Sequence, residues 1–347
     1  MANLQKQMNN FHDKIRLKGF EKNERLKDKR DLLIKNLRDN LNSDEDDPKL
    51  YFKEFNQGSY AMHTGVKPFK QDQDEFDIDV GLVFDLNAEK HQAYIDDPVE
   101  LKKRVLKALN HPARTVKVKR PCVTVSYAAT NSESGYHVDL ACYMTSNSID
   151  GLLDLAKGKL NSAPTEKKWE TNDPKGLIEK INNRFPGEDN TESRHQMRRV
   201  IRMFKRWRDK QALNKPISIS LTCEVYERFQ PVQETIPGSG TKPNDQQAFL
   251  NLVTDILNNV INDRVYSYLI VYPNSDLNEL MTENQMETYI SKLNNLKEAL
   301  QQSIDFICPH EASKKLKNQF GDDFDVLPKE DTAQKAATAI GTTGANA

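Results

Sequence analysis

Two aspartates separated by one residue inside an apolar run are the first chemical signal in this sequence: Asp77 and Asp79 of Phe76-Asp77-Ile78-Asp79-Val80-Gly81-Leu82-Val83-Phe84. In an extended strand, residues i and i+2 leave the same face, so the two carboxylates stand side by side. Like charges held that close repel, and the pair is costly unless a cation lies between them. Hard divalent ions, Mg²⁺ first and Mn²⁺ as a substitute, take such oxygen ligands. Asp139, in His137-Val138-Asp139-Leu140, is a third acid on an apolar strand and would let the set hold two ions. Two ions so placed activate an attacking hydroxyl and stabilise a leaving oxygen. Upstream, Gln57-Gly58-Ser59-Tyr60 offers a place for phosphate. Glycine lets backbone N–H groups approach the oxygens, and serine adds a hydroxyl donor. A second D-x-D, Asp323-Phe324-Asp325, has neither an apolar strand nor a Gly-Ser before it, and is read as non-catalytic. Gly238-Ser239-Gly240 has no acidic strand after it and is read as a loop.

The stretch Arg194 to Lys210 (RHQMRRVIRMFKRWRDK) carries eight Lys/Arg against one acid, Asp209. Met197, Val200, Ile201, Phe204 and Trp207 recur at helical spacing and form a stripe for the core. Arg194, Arg198 and Lys205 line one flank of it, Lys205 nearest the apolar edge. A basic flank bordering a core face points into a cleft more readily than into bulk water. Ser218 and Ser220 follow in Pro216-Ile217-Ser218-Ile219-Ser220-Leu221, where a hydroxyl either reaches the same cleft or caps a helix.

These residues need elements to position them. Residues 1 to about 45 are charged and helix-prone, with Leu26, Leu33, Leu37 and Leu41 as a narrow apolar stripe, and Pro48 closes that rod. Strands are expected over 76–84, 115–128 and 136–143, with a helix over 98–110, giving a small mixed sheet with helical cover. Residues 131–135 form the turn before the last of these strands. The polar stretch 150–190, broken by Pro164, Pro174 and Pro186, is expected to connect two lobes. Helices are then expected over 193–213, 247–262 and 282–306, with a loop over 230–245. The domains implied are a bracing helix (1–47), a catalytic core (48–160), a helical C-terminal lobe (161–328) and a disordered tail (329–347).

The 347 residues include 50 Lys+Arg and 51 Asp+Glu, a net charge of −1. No global positive field would draw in a polyanion, so a long nucleic-acid ligand is not expected. No apolar run approaches the roughly 18–20 residues that cross a bilayer, and the N-terminus lacks an apolar signal region, so neither membrane nor secretion is expected. Cys122, Cys142, Cys223 and Cys308 lie far apart, with no CxxC. Cys308-Pro309-His310 is read as a buried thiol beside a turn, not a metal site. The chain is expected to be a reduced, soluble, cytoplasmic protein.

Gln57-Gly58-Ser59-Tyr60, Thr64, Pro68-Phe69 and Phe76-Asp77-Ile78-Asp79 together resemble the opening of the bacterial CD-NTases, the cGAS/DncV-like nucleotidyltransferases of the DNA polymerase β-like superfamily. Trp169 with Asp173-Pro174-Lys175, Met203 to Asp209, and Ser218-Ile219-Ser220-Leu221 are similar to further blocks of that family in the same order. The resemblance spans about residues 50 to 225. It implies an α+β, bilobed enzyme: a nucleotidyltransferase sheet, a long N-terminal helix and a helical second lobe. It also implies a bacterial, Mg²⁺-dependent cyclic dinucleotide synthase, with ATP and GTP joined to cyclic GMP-AMP as the leading expectation. The product would act on an effector in anti-phage defence (CBASS), with a regulatory protein as a further possible partner. Carried over by position, Asp77, Asp79 and Asp139 would hold the metal, with Asp139 near the attacking ribose hydroxyl. Gln57, Gly58, Ser59, Lys205 and Ser218 would hold the donor triphosphate. Arg120, with Lys119 as its rival, and Asp276 would contact nucleotide. The gap from Ser59 to Asp77 and the hairpin between Arg120 and Asp139 are long, which loosens the transfer of base contacts. Two rival functions follow from the same residues: an RNA-directed nucleotidyltransferase such as a CCA-adding or poly(A) polymerase, and a non-catalytic nucleotide sensor.

Overall fold

The alternation read at 76–84 becomes the centre of a mixed sheet. The computed structural model describes residues 3–17, 24–69, 76–128, 135–236, 238 and 240–329. The hairpin turn expected at 131–135 and the tail at 329–347 lie almost wholly outside the described residues.

The chain opens with helices α1 (Gln5–Ile15) and α2 (Glu24–Leu41), then strand β1 (Phe52–Asn56), the one-turn helix α3 (Gly58–Ala61) and strand β2 (Phe76–Phe84). Helices α4 (Ala88–Asp96) and α5 (Pro98–Leu109) follow, then strands β3 (Thr115–Val118), β4 (Val123–Tyr127), β5 (Tyr136–Thr145), β6 (Leu153–Lys157) and β7 (Lys168–Asn172). The sheet runs β1-β2-β5-β4-β3, with β6 joining β5 and β7 joining β6. Among the described residues, only β2 and β5 pair in parallel. Helix α5 begins where Asp97 accepts a hydrogen bond from Val99 N and Pro98 fits the first turn. Beneath the sheet, Ile78, Val80, Leu82, Val138 and Leu140 are fully buried against α5 and the Leu33-Leu37-Leu41 stripe of α2. The opposite face of β2 is left for Asp77 and Asp79.

The second lobe contains α6 (Pro174–Asn182), α7 (Thr191–Lys210), α8 (Ser218–Arg228), the hairpin β8 (Gln233–Ile236) and β9 (Gly240–Pro243), then α9 (Asp245–Asn258), α10 (Glu283–Asp305) and α11 (Pro309–Phe320). Its core gathers Met197, Val200, Ile201, Phe204 and Trp207 of α7 with Phe249, Tyr289 and Leu293. Helix α1 belongs to this core through Met8, Phe11 and Ile15.

Five expectations need correction. The N-terminal rod is two helices: Arg16 leaves α1 with extended backbone and pairs with Val66, and α1 and α2 then pack in different lobes. The strand expected over 115–128 is a hairpin, because Lys119 to Cys122 turn the chain. The polar stretch 150–190 adds two strands, so the sheet lobe runs on to Asn172, past the boundary at 160, and the 230–245 loop holds β8 and β9. Cys308 is exposed at the start of α11.

Candidate active site

Parallel pairing of β2 and β5 sets Asp79 opposite Asp139 and Asp77 opposite His137. Carboxylate oxygens of Asp77, Asp79 and Asp139 lie within 4.8 Å of one another. Asp139 is oriented from the next strand, where the Thr124 hydroxyl donates to its Oδ1 at 2.5 Å. Burial, then the charges of Asp77 and Asp139, push the Asp79 carboxyl up to about 7. Asp77 is also raised, by burial and Asp139, against the opposing influence of His137 and Lys119. Three carboxylates gathered this closely, two of them resisting ionisation, are a chemical fit for a hard divalent cation, which would remove that repulsion.

Gly58 brings the chain against this cluster. Its φ is +66°, and a β-carbon there would stand 1.9 Å from Asp79 Oδ2, so only glycine fits. Gln57 N donates to Asp79 O at 3.2 Å, and the Tyr143 hydroxyl donates to Gln57 Oε1 at 3.0 Å, fixing the approach. Ser59 faces the cleft at the start of α3, and its carbonyl accepts from Thr64 N at 2.9 Å.

Across a cleft of about 940 Å³, Lys205, Arg208 and Ser218 face Gly58, Ser59, Asp77 and Asp79. Lys205 Nζ donates to Thr64 O and Thr64 Oγ1, each at 3.2 Å. Burial, with Arg202 and Arg208 nearby, holds its ammonium down to about 7. Arg208 reaches Ser218 Oγ at 2.9 Å and Asp209 at 2.6 Å. Ser220 turns away, donating to Asn278 Oδ1 in the core at 2.9 Å. Of the basic flank read from the sequence, Lys205 alone lines the cleft. Arg194 is spent on the carbonyls of Phe185 and Gly187, and Arg198 on Asn182.

Two further sequence candidates stand elsewhere. Lys119 and Arg120 are both exposed in the β3–β4 turn, and of these two rivals it is Lys119 whose charge acts on Asp77. Asp276 Oδ1 accepts from Ser267 N and Asn278 N and closes its own loop, outside the cleft lining. The second D-x-D is a brace: Asp325 meets Lys14 and Asp323 meets Arg206. Sequence reasoning missed Thr124, Tyr143, Arg202 and Arg206. It also missed Lys102, whose buried ammonium donates to the carbonyls of Lys119, Arg120 and Gly158 and so fixes the β3–β4 turn. Alternation along β4 was the one signal that pointed Thr124 at Asp139.

The resemblance read from the motifs is borne out. Residues 52–143 match the family model described as the nucleotidyltransferase domain of cyclic GMP-AMP synthase DncV-like proteins. The fold is that of Vibrio cholerae DncV, described as a cyclic AMP-GMP synthase and prokaryotic cGAS homologue: TM-score 0.70 at 20% identity, over 94% of this chain and 100% of that one. A DncV structure with the linear intermediate 5′ pppA(3′,5′)pG gives a TM-score of 0.69 at 20% identity, over 94% of this chain and 99% of that one. One with ATP, GTP and 5MTHFGLU2 gives 0.68 at 20%, over the same shares. The chain therefore carries a DncV-like nucleotidyltransferase domain in a bilobed α+β fold. No helix among the described residues is long and apolar enough to cross a membrane.

Proposed function

We propose that this protein is a divalent-metal-dependent cyclic dinucleotide synthase that joins nucleoside triphosphates with release of diphosphate, ATP and GTP giving cyclic GMP-AMP as the first product to seek. The observation that carries this reading is the convergence of Asp77, Asp79 and Asp139 within 4.8 Å beside Gly58 and Ser59, in a cleft walled by Lys205. A divalent cation, Mg²⁺ or Mn²⁺, held by the three carboxylates would polarise the reacting phosphate and acidify the attacking hydroxyl.

The chain's own residues supply the rest. Ser59 and Lys205 bind the donor triphosphate from opposite walls, with Ser218 and Arg208 beside Lys205. Asp139, steadied by Thr124, orients the acceptor ribose hydroxyl and takes its proton. The ribose oxygen bonds to the α-phosphorus as the bond from that phosphorus to the diphosphate oxygen breaks. DncV has been seen with a linear pppA(3′,5′)pG intermediate, and by likeness we propose two successive transfers in one cleft, the second closing the ring. The cyclic product would serve as a messenger to an effector in bacterial anti-phage defence, in the cytoplasm, with a regulatory protein as a possible partner.

The RNA-directed alternative would need an exposed basic track. Of the eight Lys/Arg between Arg194 and Lys210, only Lys210 is exposed. Incubation with all four labelled nucleoside triphosphates and Mg²⁺, without RNA, is expected to give a phosphatase-resistant small product identifiable by mass spectrometry. The double variant Asp77→Ala/Asp79→Ala is expected to keep its fold and lose turnover by at least about a thousandfold. Product formation that requires RNA, or that survives the double substitution, would defeat the proposal.

A further inference from the structure

Residues 62–67 cross from the sheet lobe to α7, and three basic side chains of α7 converge on that short strap. Arg202 Nε donates to Gly65 O at 3.1 Å, and its Nη2 donates to His63 O. Thr64, between those two carbonyls, gives its own carbonyl and hydroxyl to Lys205. Arg206 Nη2 donates to Lys67 O at 3.0 Å. On the far side of the guanidinium, Arg202 Nη1 lies 3.1 Å from His12 Nε2 of α1. The His12 ring is buried and held neutral, its pKa lowered to about 3, so Nε2 accepts from Arg202 while Nδ1 faces Asp13 at 3.4 Å.

Two features make this more than ordinary packing. Arg202 has no carboxylate at ion-pair distance among the described residues, so its buried charge is compensated only by carbonyls and one imidazole. A buried cation without a counter-ion is costly, and an apolar side chain would pack there more cheaply unless the acceptors themselves need the donor. Those acceptors belong to a strained segment: His63 has φ +54°, a left-handed conformation that non-glycine residues rarely adopt.

We infer that Arg202 is a positioning residue for the nucleotide cleft, oriented by His12, and that it pins the strap at His63 and Gly65 so that Ser59 and Lys205 are held at a fixed separation. The linkage is direct: Thr64 N bonds the carbonyl of Ser59, and Thr64 O receives Lys205. Releasing the two flanking carbonyls lets His63 relax and carries Ser59 and Lys205 out of register together. Helix α1, far from the carboxylates in sequence, thereby acts on the donor site. The turnover consequence rests on the function proposed above; the mechanical one does not.

Amide hydrogen exchange and binding of a non-hydrolysable ATP analogue with Mg²⁺ test the inference on the full chain. Arg202→Met is expected to speed exchange across residues 62–67 by about tenfold or more, the size of one lost charged hydrogen bond, while core amides of α9 and α10 keep their rates. Analogue affinity should fall by a similar factor. In turnover the loss should lie mainly in the nucleotide KM, with Arg202→Lys restoring part of it. His12→Ala, a milder change, should move the same amides in the same direction and serves if Arg202→Met does not fold. Unchanged exchange at 62–67 in His12→Ala or Arg202→Met, or exchange rising equally across the whole helical lobe, would overturn the inference. A wild-type protein that makes no cyclic product would refute the proposed activity, while the exchange measurement would still decide the role of Arg202.

Discussion

Asp79 carries its charge where both burial and two neighbouring carboxylates oppose it. Its carboxyl is pushed up to about 7 in the folded chain by burial and by Asp77 and Asp139, against an ordinary value near 4 when unfolded. The folded state therefore binds that proton more tightly, so without metal this group's stabilising contribution is present at low pH and drains away as pH rises from about 4 through 7. Asp79→Asn removes the charge and keeps the shape. In calorimetry at pH 8 without metal it is expected to melt about 1–2 °C above wild type, the shift for roughly 1 kcal/mol in a chain of this length. The gap should close at pH 5, and Mg²⁺ should raise the melting temperature of the wild type alone. A variant that melts below wild type at pH 8 would contradict this account of burial and repulsion at Asp79. These carboxylates were legible in the sequence because alternation in an apolar strand dictates which face they share. Lys205 was legible as the basic residue nearest the apolar edge. Arg202 was not, since a basic residue within a buried helical face gives no sign of whether its partner is water, a ligand or the chain's own carbonyls.

At the scale of elements, the N-terminal rod behaves as two parts with separate allegiances. Helix α2 lays its leucine stripe on the back of the sheet, while α1 drives Phe11 between Phe320 and Phe324, with ring centroids at 4.8 and 5.5 Å. Phe11→Ala is expected to cost about 3–5 kcal/mol, the range for a large aromatic removed from a packed core. Its unfolding in urea should separate from that of the sheet lobe as an earlier transition; one unshifted transition would contradict the division. The stripe at Leu26, Leu33, Leu37 and Leu41 announced α2, but nothing local says where a polar helix breaks. The break at Arg16 is fixed by a partner, Val66, that is distant in sequence. Strand β7 was hidden for another reason. Lys168-Trp169-Glu170-Thr171-Asn172 lies at the sheet edge, with side chains exposed or half-buried, and edge strands carry charge where central strands carry alternation.

For the whole molecule, the near-zero net charge conceals a division of labour. Carboxylates gather on the sheet lobe's open face, and α7 directs most of its cations inward. Nucleotide binding should therefore weaken with ionic strength as the charged walls of the cleft are screened, whereas duplex DNA or RNA should neither compete for the cleft nor accelerate product formation. Titrating each into the synthesis reaction at about 50 and about 200 mM salt checks both, since phosphate contacts of a long polyanion weaken steeply over that range. Stimulation by a polynucleotide would reinstate the partner that the charge balance disfavours. Fold class and the catalytic wall could be read from patterns along the chain. The opposing wall could not, because its composition depends on which lobe residues 58–69 reach across to meet.

The pairing of β2 with β5 has a consequence for descent. Ile78, Val80, Val138 and Leu140 hold the register from the buried side, while Asp77, Asp79 and Asp139 occupy the alternate positions. Folding and chemistry are thus written in interleaved letters of the same two strands. A gene copy drifting at those three aspartates alone loses its reaction without losing its shape. Such a copy would pass between generations as a full-length, soundly folded impostor, abundant in the cell and silent, to be told from its working parent at three positions alone.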